Sequence, residues 1–166
     1  FKHSIDSKPG QFVMVWIPGV DEKPMAVSYR NKKEFAFTSQ AIGKSTNTLD
    51  KMKKGDKVGI RGPYGNSFST KTRHGERVSV NERARGELSH VTRASHVTAC
   101  VVAGGVGLSS VSTLIDALKN PLIIYGARSK SHLIYLKRYK NMIITTDDGS
   151  YGRKGFTTDV LKEVLP

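Results

Sequence analysis

The rhythm of apolar and polar positions changes once along the chain. From residue 10 to residue 68 the apolar positions come in short runs between turn residues. Phe12 to Ile17 is one run, closed by Pro18-Gly19, and Met25 to Tyr29, Phe35 to Thr38 and Lys57 to Arg61 are three more. Short runs at this spacing predict the strands of a small antiparallel barrel. One helix is expected among them, from Ser45 to Met52, with Gly43 before it and the Gly55-Asp56 turn after it. From residue 99 onward strands and helices are expected to alternate. Ala99 to Ala103, Leu122 to Tyr125 and Met142 to Thr146 read as buried strands. Val111, Leu114, Ile115 and Leu118 recur at i, i+3, i+4 and i+7, which predicts a helix. Ser131 to Tyr139, capped by Ser131, and Thr158 to Leu165 are the other two expected helices. Such alternation implies a parallel sheet covered by helices. The expected fold is therefore a β-barrel followed by an α/β domain, with boundaries at 1–69 and 99–166.

Residues 70–98 fit neither rhythm. They carry six Arg or Lys, three Glu and three His, with few large apolar side chains. The composition suits a disordered or loosely ordered insertion or linker, or else a basic binding segment.

Composition narrows the function classes. With 166 residues the chain can bury a real core, as one domain or two small ones. Its formal charge of +13 points to an anionic cofactor, an acidic partner or nucleic acid. A single cysteine, Cys100, excludes a disulfide framework or a thiolate metal cluster within these residues. It lies in an apolar run and reads as packing. No apolar run approaches the roughly 20 residues of a membrane span, and no charged-then-apolar leader opens the chain. A cytoplasmic protein in a reducing compartment is expected, with an N-terminus trimmed ahead of Phe1.

The candidate chemistry centres on residues 100–110. A run of small apolar residues enters Gly104, Gly105 and Gly107 and then a helix. Glycines there let the backbone approach a ligand, and the bare N–H groups of the helix start favour a phosphate. The spacing is G-G-x-G rather than the G-x-G-x-x-G dinucleotide fingerprint, so a ligand turn and a plain tight βα turn both fit. Gly126 to Ser129 and Asp147 to Gly152 are two further polar, glycine-bearing turns at strand ends. In parallel sheets ligands bind beyond the carboxyl ends of the strands, so three such turns on one rim favour the ligand.

Four stretches occur together in order: Pro9 to Trp16, Gly62 to Phe68, Val102 to Leu108 and Asp147 to Gly152. With the barrel-then-α/β order they resemble the ferredoxin–NADP reductase superfamily, and within it the electron-transfer subunits of dihydroorotate dehydrogenase. The similarity covers about residues 9–68 and 99–165. It implies an FAD-binding barrel at 1–69 and an NAD-binding α/β domain at 99–166, both truncated, with hydride passing from NADH to FAD.

The resemblance also implies site residues. The family's Arg-Pro-x-Ser flavin strand corresponds to Lys23, Pro24, Met25 and Ala26. Lysine keeps a cation for the pyrophosphate but not the bidentate fork of arginine. Ala26 lacks the expected hydroxyl, which Ser28 can supply from the same side of the strand. Gly43, Lys44, Ser45 and Thr46 match a pyrophosphate-binding helix start, where Ser45 equally suits an ordinary N-cap. Gly62, Pro63 and Tyr64 complete the flavin set. Gly104, Gly105 and Gly107 match the turn that lets nicotinamide approach. Arg128 and Ser129 fall where the adenosine ribose is met, with Arg128 open to a 2′-phosphate or to plain solvent. Asp147 and Asp148 suit ribose hydroxyls or simply the shape of their turn.

The family's [2Fe–2S] centre needs four thiolates, so its cysteines are absent from this chain, as is the family's Cys-Gly-Pro nicotinamide loop. The chain reads as a fragment of such a subunit, whose partner is the dihydroorotate dehydrogenase catalytic subunit of pyrimidine biosynthesis. No side chain is needed as an acid or base, because the flavin carries the chemistry. A reductase subunit serving a hydrogenase or ferredoxin is the nearest alternative. A basic nucleic-acid-binding module is another, favoured by charge and an OB-like barrel. Beyond Tyr29, Phe35 and Phe37, however, the strands lack a basic–aromatic stacking platform. The third alternative is a remnant that binds no cofactor.

Overall fold

The computed structural model describes residues 1–70, 99–139 and 141–164. The expectation for residues 70–98 lies outside the described residues, Thr70 excepted. The chain divides into two compact units, one formed by residues 1–68 with 109–114 and the other by 69–108 with 115–166.

The first unit is an antiparallel sheet in the order β3-β2-β1-β4, formed by β1 (Phe12–Ile17), β2 (Asp21–Arg30), β3 (Phe35–Phe37) and β4 (Gly59–Tyr64). Period-2 alternation in β1 sends Val13, Val15 and Ile17 inward, where they pack with Met25, Val27 and Phe35. Phe12 and Met14 take the opposite face, as does Trp16, which is exposed. A tight turn at Pro18-Gly19, closed by Val20 N–H to the Ile17 carbonyl at 3.0 Å, starts β2 four residues earlier than its apolar run. Pro24 sits inside that strand opposite Met14. It is tolerated because β3 pairs with β2 only from Val27 onward, so no ladder bond is lost on that side. β4 lies later than its run predicts, and bulges against β1 between Phe12 and Met14. Gly62 meets the bulge at φ +135°, where a Cβ would press on the Phe12 carbonyl at 3.2 Å. Helix α1 (Lys44–Lys51) turns Ser45 and Leu49 toward the sheet.

The second unit is the expected parallel sheet, in the order β5-β6-β7-β8, with every neighbouring pair parallel. Its strands are β5 (Cys100–Gly104), β6 (Leu122–Ala127), β7 (Met142–Thr146) and β8 (Arg153–Lys154). All six positions of β6 are buried, as a strand covered on both faces requires. Helix α3 (Thr157–Val164) covers one face through Val160 and Val164 on Leu122, Ile124 and Ile143. Cys100 packs against this cluster, and burial pushes its thiol pKa up. Helix α2 (Leu108–Ala117) follows β5 through a single 3₁₀ turn at Gly105–Gly107.

One expected element does not form. Instead of a helix over Ser131 to Tyr139 there is only a 3₁₀ turn at Lys130–His132. The Ile134 N–H is taken by the Tyr125 hydroxyl at 2.9 Å, and Tyr135 sits at φ +61°. Both features break a helical ladder at its centre. Arg138 and Tyr139 then bond the carboxylate of Asp116, Tyr139 at 3.0 Å, which ties the segment down without a helix.

Candidate functional site

In the first unit the expected flavin residues divide by what already holds them. Met25 faces the core, so only its backbone is available to a ligand. The Ser28 hydroxyl is buried between the Ala36 carbonyl and the Thr38 hydroxyl, each at 3.3 Å. Lys23 is exposed and pairs with Asp21 at 2.5 Å. The bond from Lys23, followed by the Glu22 N–H, holds the Asp21 carboxyl below its usual range, and Lys44 adds to the lowering. Lys23 and Lys44 are therefore neighbours of one carboxylate at the start of α1. Tyr64 is exposed next to Phe12, with ring centroids 6.0 Å apart.

The helix start itself is open. Gly43 carries no side-chain cap. The Thr46 hydroxyl folds back to accept from Ile42 N–H at 3.0 Å and Gly43 N–H at 3.1 Å. The helical ladder begins only at Asn47 N–H, which donates to the Gly43 carbonyl. The N–H groups of Lys44, Ser45 and Thr46 thus have no acceptor within the helix. Three donors unused by the helix, a glycine approach and the Lys44 ammonium are features that can receive an anion, while Lys23 is already paired with Asp21. Thr46 shapes this turn instead of pointing out of it, a role its sequence position does not reveal.

In the second unit the three expected turns share one rim, because Gly104, Gly126 and Thr145 are in register across the parallel strands. Gly105 has φ +51°, and a Cβ built at Gly104, Gly105 or Gly107 would meet nothing within 4 Å. The space over the glycine turn is open. Arg128 is exposed, and its carbonyl accepts from Asp148 N–H at 3.2 Å. The Ser129 hydroxyl is within 2.8 Å of both the Ser131 hydroxyl and His132 Nδ1. Asp148 accepts from both the hydroxyl and the N–H of Ser150, at 2.6 and 2.9 Å. Asp147 is exposed beside it. The rim brings together Gly104, Gly105, Gly107, Arg128, Ser129, Asp147 and Asp148, but it commits one Asp148 oxygen to its own turn.

The Ser150 hydroxyl, then the Ser150 N–H, lower the Asp148 pKa below its ordinary 3.8. A depressed carboxylate contributes stability above its unfolded pKa, which is lost as pH falls through the folded value. The stability gap between the unaltered chain and Asp148→Asn should therefore be full at pH 7, begin to shrink near pH 3.8 and close only below the lower folded value. Urea titrations at pH 7 and pH 3 check this. A gap as large at pH 3 as at pH 7 would show that the carboxylate's charge contributes nothing.

Sequence reasoning missed Tyr125. It sits in an apolar run and reads as core, yet its buried hydroxyl bonds the Gly105 carbonyl at 3.1 Å.

No protein-family model matches the chain. It is similar to proteins described as probable dihydroorotate dehydrogenase B (NAD(+)), electron transfer subunit. The identity is 39% for that of Pyrococcus furiosus and 38% for that of Methanocaldococcus jannaschii, each over 96% of this chain. The chain spans about half the length of these relatives, 56% and 54%. Among solved structures, flavohemoglobin from Malassezia yamatoensis, which holds FAD and heme, aligns with a TM-score of 0.59 and 16% identity. The alignment covers 98% of this chain and 43% of that one. A variant of ferredoxin-NADP+ reductase from Plasmodium falciparum aligns with a TM-score of 0.50 and 14% identity, covering 84% of this chain and 56% of that one. These structures show a shared fold, an antiparallel sheet followed by a parallel α/β unit.

Proposed function

We propose, on the premise that this chain is a relative of the dihydroorotate dehydrogenase B electron transfer subunits, that it carries the FAD and NADH sites of such a subunit. The observation that carries the reading is a single continuous match. An alignment at 38–39% identity covers 96% of the chain and so spans both units.

The residues present fit FAD in part. Lys23, Lys44 and the N–H groups opening α1 suit its pyrophosphate, and Tyr64 offers an exposed ring. Neither Ala26 nor the committed Ser28 offers a free hydroxyl to the ring system, so Pro24, Ala26 and the Gly62–Pro63 backbone contribute shape alone. The rim of the second unit fits a dinucleotide. Gly104, Gly105 and Gly107 admit the nicotinamide end, and Arg128, Ser129, Asp147 and Asp148 face the adenosine end. Bound FAD would supply hydride acceptance and one-electron release. The chain's own work is to bind, orient and exclude water.

The residues do not fit a [2Fe–2S] centre, which needs four ligands, since the chain holds one cysteine. Delivery of electrons to a dihydroorotate dehydrogenase catalytic subunit belongs to the same proposal. No helix among the described residues is long and apolar enough to cross a membrane.

The test is a flavin titration of the purified protein. FAD should bind with a perturbed visible spectrum, and anaerobic NADH should bleach it. Protein that stays colourless with excess FAD would overturn the reading.

A further inference from the structure

We propose that Tyr125 is a positioning residue that sets the glycine turn for the nicotinamide dinucleotide, an inference that rests on the reading of that turn given above. The turn has little to hold itself with. Residues 104–107 are three glycines and a valine, and Gly105 occupies the left-handed region at φ +51°. Among the described residues, the Tyr125 hydroxyl is the only side-chain group that hydrogen-bonds any of the four. The remaining bonds at this turn are backbone, with Leu108 N–H turned to the Gly105 and Val106 carbonyls.

Tyr125 is fitted to this by its place in β6. It lies beside Ala103 of β5 and Ile144 of β7, fully buried. Its ring is fixed by packing, so the hydroxyl is delivered to one point. There it donates to the Gly105 carbonyl at 3.1 Å and accepts from Ile134 N–H at 2.9 Å. The bond donated to Gly105 requires the protonated phenol, and burial pushes its pKa upward. One buried hydroxyl thus joins the turn after β5 to the segment after β6. Loss of the hydroxyl leaves the turn free to shift, and a shift of about 1 Å can cost roughly 10²-fold in rate.

The experiment compares Tyr125→Phe with the unaltered, FAD-loaded protein by calorimetric titration with NAD+ and, separately, with ADP-ribose. Phenylalanine keeps the packing and removes only the hydroxyl. NAD+ binding should weaken about tenfold, because the ligand must then order a turn that the hydroxyl no longer holds. ADP-ribose binding and FAD content should stay the same, because neither ligand part meets the glycine turn. Tyr139→Phe, which loses a hydroxyl bonded to Asp116 instead, should leave all three unchanged.

Equal NAD+ affinity in Tyr125→Phe and the unaltered protein would overturn the inference. Equal weakening of both ligands would overturn it too, by reducing Tyr125 to a structural role. An unaltered protein that binds neither ligand would instead overturn the reading of the site. Should Tyr125→Phe fail to fold, Ile134→Pro removes the second bond from its other end. Leu133, at ψ 130°, already has the backbone a following proline requires, and the same two titrations then decide.

Discussion

Gly152→Ala should melt the α/β unit roughly 15 °C or more below the unaltered chain. Gly152 has φ +66°, and a Cβ there would sit 2.2 Å from the Ile144 carbonyl oxygen and 2.9 Å from its carbon. Both are backbone atoms of β7, at the middle of the sheet, so no side chain can swing aside. The loop cannot retreat either. The Thr146 hydroxyl donates to the Tyr151 carbonyl at 2.8 Å and accepts from Tyr151 N–H at 3.1 Å. Left-handed strain costs about 1–3 kcal/mol and overpacking about as much again. A total of about 4 kcal/mol corresponds to the stated fall in Tm for a unit of this size. Gly149→Ala is the control. Its φ is +76°, but the nearest atoms to its Cβ would be those of the Lys154 side chain, at 3.2 Å and beyond, with no backbone atom among them. Circular dichroism melts compare the three. Equal melting of Gly152→Ala and the unaltered protein would mean that the 147–152 loop is not packed on β7 as described.

That loop shows where sequence reading stops. The turn from Asp147 to Gly152 is legible from its residues, but the two-residue strand β8 that follows is not. Arg153 and Lys154 have no apolar pattern and join the sheet only by pairing with Thr145 and Thr146. Long-range pairing also moves the edges of the first unit. The bulge at Phe12 draws β4 as far as Tyr64, and the Ile17–Asp21 pairing draws β2 back through Pro24. The strongly periodic pieces, β1, β5, β6 and β7, fall where alternation or apolar runs put them, because their burial fixes their register. The lost helix has a different cause. Leu133, Ile134 and Leu136 offer an apolar face, and a hydroxyl nine residues upstream from Ile134 takes the N–H a helix would need. No local signal reports that contact. The site follows the same division. Glycine positions are legible, since the need for a bare backbone shows in the residue type. The commitments of Ser28, Thr46 and Asp148 to protein partners depend on neighbours that only folding brings together.

Gly105→Val should leave a folded, FAD-binding protein whose flavin is reduced by NADH about 10²-fold more slowly. The fold should survive because a Cβ at Gly105 meets nothing within 4 Å. The protein therefore raises no steric objection to a Cβ there, in contrast to Gly152. The cost within the chain is confined to φ +51°, which a β-branched residue adopts poorly, at about 1–3 kcal/mol. The same empty space is what the proposed nicotinamide approach needs, and valine fills it with two methyls. FAD content should hold, since the proposed anion site at Gly43 to Thr46 lies in the other unit. Hydride transfer depends steeply on approach distance, and about 1 Å of displacement is enough for the stated fall. Single-turnover bleaching under anaerobic conditions measures it, with FAD content and the melting curve read on the same sample. Gly105→Ala should fall between the two, because it adds one methyl and no β-branch. A folded, flavin-loaded Gly105→Val that bleaches at the unaltered rate would place nicotinamide docking away from the glycine turn. The open space above residues 104–107 would then be a feature of the βα connection alone.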